Sequence, residues 1–388
     1  MVNVRLGIIG IGGMGSAHAK LLATGKVEGL TLCAVADLRE TRRAWARENL
    51  PDTLMIFDDG EALIASGVCD AVFIVTPHYA HPPLVISALE HGLHVLCEKP
   101  AGVYTKQVRE MNEAAQKSDK VFAIMFNQRT NHVYRKMHEL VQSGTYGAIK
   151  RVNWIITDWF RTQAYYDSGD WRGTWDGEGG GVLLNQCPHQ LDLLQWICGM
   201  PSKVQAFCHE GKWHNIEVED DVTAYLEYPN GATGVFITTT GDALGNNRFE
   251  ITLTKAKILC DYQGLQVTVL DQDEREFSST TTEGFARPEK RELVVETDGE
   301  NPQHAGVMQA WVNRIRFGTP LIAEGAEGIN GLMLSNAMHL SSWLGKPVNL
   351  PFDEDLFLAL LNQKRVASKE KGAVVEATFD TAGTYGNV

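Results

Sequence analysis

Residues 4–23 read VRLGIIGIGGMGSAHAKLLA, and this stretch decides the fold of the first part of the chain. Its first six residues are mostly apolar, as in a buried strand, and its last third follows a helical spacing. The turn between them has the spacing G-x-G-x-x-G, formed by Gly10, Gly12, Gly13, Met14 and Gly15. In such a turn the first glycine allows a tight bend, the second lets a pyrophosphate approach the backbone, and the third lets helix and strand pack closely. The stretch therefore predicts a dinucleotide-binding turn, with the phosphates at the helix N-terminus.

Short apolar runs alternate with longer helical patterns over the first third of the chain. The strand-like runs are residues 4–9, 30–36, 71–75, 94–97 and 121–125. The helical patterns are residues 15–22, 42–48, 81–91 and 106–117. This alternation is typical of a parallel sheet with helices on both faces. We predict an α/β Rossmann domain over residues 1–126.

The remaining residues, 127–388, contain mostly strand-like runs. These are residues 149–156, 204–208, 223–228, 233–239, 249–254, 257–261 and 265–270. Helical patterns cover residues 134–143, 188–197 and 305–317. The turn Pro229-Asn230-Gly231 predicts a hairpin, and residues 278–291 and the C-terminal end read as loops. We predict a second, α+β domain with a large open, mainly antiparallel sheet, which binds substrate and forms the contacts between subunits.

The composition excludes several classes of function. The formal net charge of −13, without a basic run, argues against nucleic acid as a partner. No segment approaches the roughly 18–20 uncharged apolar residues that span a bilayer, and the first residues leave no room for a signal peptide. The seven cysteines are scattered and never form a C-x-x-C pair. We therefore predict a cytoplasmic protein without membrane contact, disulfide framework or metal.

Asp37 ends the second predicted strand, where Rossmann domains place an acid that accepts hydrogen bonds from the adenosine ribose. An acid at this position favours NAD over NADP. Arg39, Arg42 and Arg43 follow closely and could accept a 2′-phosphate, so NADP stays possible. The alternative for Asp37 is that it only caps the following helix.

Two further polar segments follow predicted strands. Thr76, Pro77 and His81 come after the third strand-like run, and Glu98 and Lys99 come after the fourth. Ligands of open parallel sheets bind at the carboxyl ends of the strands, so we predict all five residues as cofactor contacts. Lys99 is also a candidate catalytic group, and a solvated lysine before a turn is the alternative.

A third polar segment lies in the second domain. Three glycines at residues 179–181 lead to Pro188 and His189, and Asp192 follows. Pro188 suits the first turn of a helix, which would place His189 and Asp192 on one helical face. A histidine near a helix N-terminus should have a lowered pKa and stay neutral, the form that a general base needs. The alternative is a buried histidine between the two domains that is hydrogen-bonded to a neighbour.

Together these motifs resemble the glucose-fructose oxidoreductase and inositol dehydrogenase (Gfo/Idh/MocA) family in their order and spacing. The motifs are the glycine turn at residues 10–15, Thr76-Pro77 with His81, Glu98-Lys99-Pro100, and the triple glycine that leads to His189. The resemblance covers most of the chain and implies the two-domain fold predicted above. It also implies NAD as cofactor, and dimers or tetramers joined through the open sheet.

The resemblance implies that Lys99 and His189 form the catalytic pair. A third family position, usually aspartate, lies four residues before the histidine and is Asn185 here. An amide cannot offset the charge of an imidazolium as a carboxylate can, so Asn185 is expected to orient the substrate or His189. Asp192 also matches a family position and could support the histidine or the substrate.

Aromatic residues and arginines alternate just before the triple glycine. They are Trp154, Trp159, Arg161, Tyr165, Tyr166, Trp171, Arg172 and Trp175. Flat apolar rings beside hydrogen-bonding groups suit a carbohydrate, although rings of this kind also fill cores and interfaces. The pair Trp171-Arg172 resembles a substrate segment of the family. We predict Tyr166 and Arg172 as substrate contacts.

Asn127 and Arg129 complete the predicted substrate site; they either line the cleft or begin the next element. The combined prediction is an NAD-dependent dehydrogenase acting on a secondary hydroxyl of a sugar, inositol or glycoside. Two alternatives stay open on the same fold. One is a redox-neutral, NAD-containing glycosidase or epimerase, and the other is a non-catalytic NAD-binding regulatory protein.

Overall fold

The glycine turn connects the first strand and helix of a six-stranded parallel sheet. The computed structural model describes residues 3–369 and residue 371. The strands of this sheet are β1 (Val4–Ile9), β2 (Leu30–Ala36), β3 (Met55–Phe57), β4 (Ala71–Ile74), β5 (His94–Cys97) and β6 (Phe122–Ile124). Their order is β3-β2-β1-β4-β5-β6, and every neighbouring pair is parallel. The predicted Rossmann sheet is confirmed, with β3 as an additional edge strand.

Helices cover this sheet as the spacing of apolar residues predicted. They are α1 (Gly13–Ala23), α2 (Glu40–Asn49), α3 (Gly60–Ala65), α4 (His81–Glu90) and α5 (Thr105–Lys117). Helix α3, which the sequence did not predict, begins after Asp59, whose carboxylate accepts a hydrogen bond from the backbone N–H of Glu61. Parallel strands bring all their carboxyl ends to one edge of the sheet, and the glycine turn lies at that edge.

A nine-stranded sheet follows in the second part of the chain. Its strands are β7 (Ile149–Ile156), β8 (Lys203–Glu210), β9 (Glu219–Glu227), β10 (Thr233–Thr239), β11 (Asn247–Leu253), β12 (Ala256–Asp261), β13 (Gly264–Leu270), β14 (Lys290–Leu293) and β15 (Val348–Asn349). The order is β14-β13-β12-β11-β7-β10-β9-β8-β15. Among the described strands of this second sheet, only β7 and β10 pair in parallel. The predicted open, mainly antiparallel sheet and the β9–β10 hairpin are confirmed.

One face of this second sheet is buried and the other is open. On β7, Val152, Trp154 and Ile156 point into the core, where Trp154 stacks on Phe249 with 4.1 Å between ring centroids. The helices of the second part are α6 (His132–Gln142), α7 (Gln163–Asp167), α8 (Pro188–Cys198), α9 (Glu274–Thr280), α10 (Gln303–Phe317), α11 (Gly328–Leu344) and α12 (Glu354–Ala367). Helices α6, α8 and α11 contribute to the core beneath the buried face.

Helix α10 packs in the first domain's core, although it comes late in the sequence. Its Trp311 is fully buried in the cluster that also holds Leu6 and Ile8 of β1. Helices α11 and α12 likewise contribute to the core on the other face of the first sheet. The domain boundary between residues 126 and 127 stays a prediction, and α11 contributes to the cores of both sheets.

The predicted loop over residues 278–291 is wrong at both ends. Helix α9 extends into its start, and strand β14 pairs with β13 at its end. The other predicted loop, at the C-terminal end, lies outside the described residues. Within the described part of the chain, no helix is both long enough and apolar enough to cross a membrane.

Candidate active site

The glycine turn forms a cradle in front of helix α1. Gly10 has a φ of +93°, and a Cβ there would lie 2.6 Å from the carbonyl oxygen of Val75. A Cβ on Gly15 would lie 1.9 Å from the Gly10 oxygen, so the helix can approach the strand only without a side chain. Gly12 and Gly13 face open space, with nothing within 4 Å of an added Cβ. This space at the helix N-terminus fits a pyrophosphate.

Asp37 ties the end of β2 to the glycine turn. Its carboxylate accepts hydrogen bonds from the backbone N–H of Ile11 at 2.7 Å and of Arg39 at 2.9 Å. The Arg39 guanidinium pairs with Asp170, and the Arg43 guanidinium donates to the Asp37 carbonyl oxygen at 2.7 Å. Two of the three arginines that could accept a 2′-phosphate are therefore engaged with protein groups.

His81 and Glu98, predicted as cofactor contacts, support the segments that carry Thr76 and Lys99. The two ring nitrogens of His81 lie 2.7 Å from the carbonyl oxygens of Thr76 and Pro100. The Glu98 carboxylate lies 2.8 Å from the Nε2 of His18 and accepts a hydrogen bond from the Lys99 backbone N–H at 3.1 Å. Both side chains are buried. Their polar atoms contact protein groups, and their contacts with the cofactor stay predictions.

Lys99, which follows β5, and His189 of α8 lie close enough for the charge of Lys99 to act on the His189 ring. The Lys99 ammonium donates a hydrogen bond to the backbone oxygen of Asn185 at 3.0 Å. His189 is buried, and neither of its ring nitrogens has a hydrogen-bond partner among the described residues. Burial lowers the pKa of His189 well below 6.5, and the positive charge of Lys99 lowers it further. The imidazole is therefore neutral and can accept a proton.

The triple glycine is fixed by a buried carboxylate. Glu219 at the start of β9 accepts hydrogen bonds from the backbone N–H groups of Gly181 and Leu183, both at 2.9 Å. A Cβ on Gly181 would lie 1.9 Å from the Glu219 carbonyl oxygen. His339 of α11 lies 2.9 Å from the same carboxylate and helps to keep its pKa low. These contacts position the π-helical turn Val182–Gln186, which carries Asn185 and leads into α8.

Tyr165 is a site residue that the sequence analysis did not single out. Its hydroxyl accepts hydrogen bonds from Arg172 at 2.6 Å, from the Asn185 amide at 3.4 Å and from the Gln186 amide at 3.2 Å. The guanidinium groups of Arg161 and Arg172 lie over its ring, 5.3 Å and 4.4 Å from the centroid. Tyr165 therefore joins the predicted Arg172 and Asn185 into one group.

Tyr166, predicted as a substrate contact, is part of the core instead. Its side chain is 1% exposed, and its hydroxyl is hydrogen-bonded to the hydroxyl of Thr240 at 2.8 Å. Its ring lies 4.9 Å from that of His214. The adjacent Tyr165 is half-buried and points toward Asn185. Helix α7 thus turns one tyrosine into the protein and the other toward the cleft.

Arg129 and Asp192, also predicted as substrate contacts, form a buried ion pair. The guanidinium donates two hydrogen bonds to the carboxylate, at 2.7 Å and 2.8 Å, and the two side chains are 2% and 1% exposed. Glu327 accepts a third hydrogen bond from Arg129 at 2.7 Å, and Gln195 donates to Asp192 at 3.0 Å. The polar atoms of both residues are held by protein partners, and their contacts with substrate stay predictions.

Asn127 begins a 3-10 turn and is fully buried. Its amide nitrogen donates to the side-chain oxygen of Gln303, and its amide oxygen has no partner among the described residues. Of the two alternatives for Asn127, the structure shows that it begins the next element, and its substrate contact stays a prediction.

Three side chains near Lys99 have the composition of a metal site. His18, Glu98 and His304 place one ligand atom each within 4.8 Å of one another. His304 lies at the start of α10, and its pKa is lowered to about 4 by burial and by His18. The 2.8 Å contact between His18 and Glu98 accounts for that pair as a hydrogen bond. The absence of a metal stays a prediction.

The chain is similar to known proteins over both sheets. A family model described as "Oxidoreductase family, NAD-binding Rossmann fold" matches residues 4–126. A second model, described as "GFO/IDH/MocA C-terminal domain", matches residues 134–259. The two models match in the same order as the two sheets.

Two curated relatives match along most of the chain. The myo-inositol 2-dehydrogenase of Thermotoga maritima is 24% identical over 344 residues, which cover 86% of this chain and 95% of that protein. The D-glucoside 3-dehydrogenase of Escherichia coli is 25% identical over 375 residues, which cover 89% and 97%.

Solved structures share the fold. The WlbA dehydrogenase from Chromobactrium violaceum, in complex with NADH and UDP-GlcNAcA, has a TM-score of 0.76 and 26% identity over 91% of this chain and 97% of that one. A levoglucosan dehydrogenase in complex with NADH has a TM-score of 0.74 and 20% identity, covering 90% and 100%.

Proposed function

The chain belongs to the Gfo/Idh/MocA family of NAD-binding oxidoreductases, and we propose that it oxidises a secondary hydroxyl of a sugar, inositol or glycoside to a ketone, or catalyses the reverse reduction. One observation carries this proposal: the neutral, buried ring of His189 has no hydrogen-bond partner among the described residues and lies beside Lys99. A neutral base next to an ammonium group is the pair that alcohol oxidation needs.

The residues at the glycine turn fit NAD. The cradle in front of Gly12 and Gly13 accepts a pyrophosphate, and Asp37 stands where the adenosine ribose binds in this fold. The engaged guanidinium groups of Arg39 and Arg43 support NAD over NADP, because neither is left free to pair with a 2′-phosphate. When bound, the nicotinamide accepts or returns the hydride.

His189 and Lys99 divide the proton chemistry between them. His189 takes the hydroxyl proton of the substrate, because its lowered pKa keeps the imidazole free to accept it. Lys99 keeps its ammonium close by through the hydrogen bond to the Asn185 oxygen. Its positive charge stabilises the negative charge that develops on the substrate oxygen, which lowers the barrier more than it tightens binding.

Tyr165, Arg172 and Asn185 are the proposed substrate contacts. Their polar atoms are already joined by hydrogen bonds, and their side chains are half-buried at the cleft. The Arg172 guanidinium lies 4.4 Å from the centroid of the Tyr165 ring and 4.5 Å from that of a Trp171 ring. Rings and hydrogen-bonding groups in this combination suit the alternating apolar and hydroxyl faces of a polyol.

The second sheet supports a homo-oligomer, a dimer or a tetramer. Phe207 of β8 is 58% exposed and Tyr225 of β9 is 41% exposed. Phe207 pairs with Thr223 and Tyr225 pairs with Gln205, so the two aromatic side chains are diagonal neighbours on one face of the sheet. Large exposed side chains on an open sheet face are typical of a surface covered by another subunit.

NADH absorbance tests the proposed activity. Purified protein is mixed with NAD or NADP and a panel of inositols, free sugars and glycosides. We expect NAD reduction with at least one compound, and a loss of at least about 100-fold in kcat for His189→Gln. His91→Gln is the matched control, because that histidine is exposed at the C-terminal end of α4. Bound NAD without reduction of any compound would instead support a redox-neutral enzyme or a regulatory protein.

A further inference from the structure

Glu178 is a buried carboxylate beside Asn185, outside the motifs that identify the family. It lies in the loop just before the triple glycine and is 1% exposed. A carboxylate removed from water needs several hydrogen bonds to stay in place. Here it accepts one from the backbone N–H of Gly173 at 2.5 Å and one from the side-chain amide nitrogen of Asn185.

The backbone of Glu178 is also held in place. Its N–H donates to the Thr174 oxygen at 3.0 Å. Its carbonyl oxygen lies 3.1 Å from the Nδ1 of His78, which follows β4 in the cofactor-binding sheet. Glu178 therefore joins the cofactor side of the cleft, the loop that carries Arg172, and the turn that carries Asn185.

Asn185 in turn contacts the groups of the proposed chemistry. Its backbone oxygen accepts the hydrogen bond from the Lys99 ammonium, and its amide nitrogen also lies 3.4 Å from the Tyr165 hydroxyl. The amide nitrogen is committed to Glu178, which fixes the orientation of the amide plane. The amide oxygen of Asn185 is then left as the acceptor.

We propose that Glu178 fixes the orientation of the Asn185 amide in the proposed substrate site. Glu178 is a positioning residue: it holds Asn185 so that its side-chain oxygen accepts a hydrogen bond from a substrate hydroxyl while its backbone oxygen holds Lys99. The inference rests on the proposed function, because it assigns a role in the same site.

The geometry makes a specific exchange possible. The carboxylate of Glu178 contacts the amide of Asn185. The double variant Glu178→Gln with Asn185→Asp exchanges the two groups, so it keeps one carboxylate, one amide and the contact between them. The single variant Glu178→Gln removes the charge, and the single variant Asn185→Asp places two buried carboxylates in contact. Two carboxylates this close cannot both ionise at low cost, so one must take up a proton.

The test compares wild type, Glu178→Gln, Asn185→Asp and the double variant. We expect kcat to fall at least about 10-fold in each single variant and to recover to within about 3-fold of wild type in the double variant. In Asn185→Asp alone we expect the acid limb of the pH profile to move to higher pH. Asp176→Asn is the matched control: this exposed acid lies two residues before Glu178 in the same loop and pairs with Arg365, so kcat should not change.

A second readout separates this inference from the proposed function. The free energy of unfolding of the same four proteins gives the coupling between positions 178 and 185 without any substrate. Wild type that binds NAD but oxidises no compound would overturn the proposed function alone. A double variant no better than the sum of its single variants, in both kcat and unfolding, would overturn the role of Glu178.

Discussion

Replacing Arg129 with glutamine removes the cation of a buried ion pair whose residues were first expected to contact the substrate. In the structure, both oxygens of Asp192 accept hydrogen bonds from Arg129, and both side chains are at most 2% exposed. Glutamine can keep one hydrogen bond at most and no charge. Asp192 would then be left as a buried carboxylate without a counter-charge.

The size of the effect follows from this burial. Breaking a buried ion pair by removing one partner costs about 3–5 kcal/mol, because the remaining charge is left without compensation. Arg5 and Asp70 provide the comparison within the same chain. They also form an ion pair at 2.7 Å, but their side chains are 49% and 42% exposed. For Arg5→Gln we expect a much smaller loss of stability, because water screens the charges of an exposed pair.

Urea unfolding of wild type, Arg129→Gln and Arg5→Gln measures the loss of unfolding free energy in each variant.

The pH dependence of the unfolding free energy gives a second check. Burial already raises the pKa of Asp192, and losing Arg129 raises it further. An acid whose pKa is raised in the folded state stabilises the fold at low pH and loses that contribution as the pH rises. The cost of Arg129→Gln should therefore grow from about pH 5 to pH 8. Equal costs for the two variants would refute the reasoning.

Three further outcomes follow from the site. Because the pKa of His189 in the free protein is held well below 6.5 by burial and by Lys99, we expect kcat/KM to stay level from about pH 8 to pH 6 and to fall only in more acid solution, as the ring takes up a proton. A midpoint near pH 7 in the profile of kcat/KM against pH would contradict this. Tyr165→Phe should raise KM for the polyol about 3- to 10-fold, because it removes a hydroxyl of the proposed substrate site. Tyr166→Phe removes a hydroxyl that contacts Thr240, so it should leave KM unchanged and lower the unfolding midpoint. The reverse pattern would assign the substrate contact to Tyr166. Asp37→Ser should reduce the preference for NAD over NADP at least about 10-fold. The preference is measured as the ratio of the kcat/KM values for the two cofactors. An unchanged ratio would assign the selectivity to other groups.

The first sheet could be predicted from the sequence because its signals are local. A buried strand, a glycine turn and a helix follow each other within residues 4–23. The alternation of strand and helix then repeats along the first domain. Strand β3 was missed because it has three residues and lies at the edge of the sheet. Helix α11 was missed for the opposite reason: it is buried on most sides and lacks the polar stripe that marks a surface helix.

Residue type and strand ends select candidate site residues such as Lys99 and His189, but long-range contacts decide what surrounds each one. Glu219 accepts a hydrogen bond from the backbone N–H of Gly181, which lies 38 positions earlier in the sequence. A local sequence pattern cannot predict a contact over this distance. Tyr165 and Tyr166 are neighbours of the same type, so their roles depend on how helix α7 is oriented. The structure supplies that orientation through the hydrogen bond between Tyr166 and Thr240.

The buried polar groups around the cleft differ in one respect that bears on function. Arg129, Asp192 and Glu219 are satisfied by protein partners, so their burial is accounted for by the fold. His189 has no such partner among the described residues, and an unmade hydrogen bond at a buried group costs about 1–3 kcal/mol. A hydroxyl that donates to this ring would remove that cost. This cost is what a substrate hydroxyl would relieve under the proposed function.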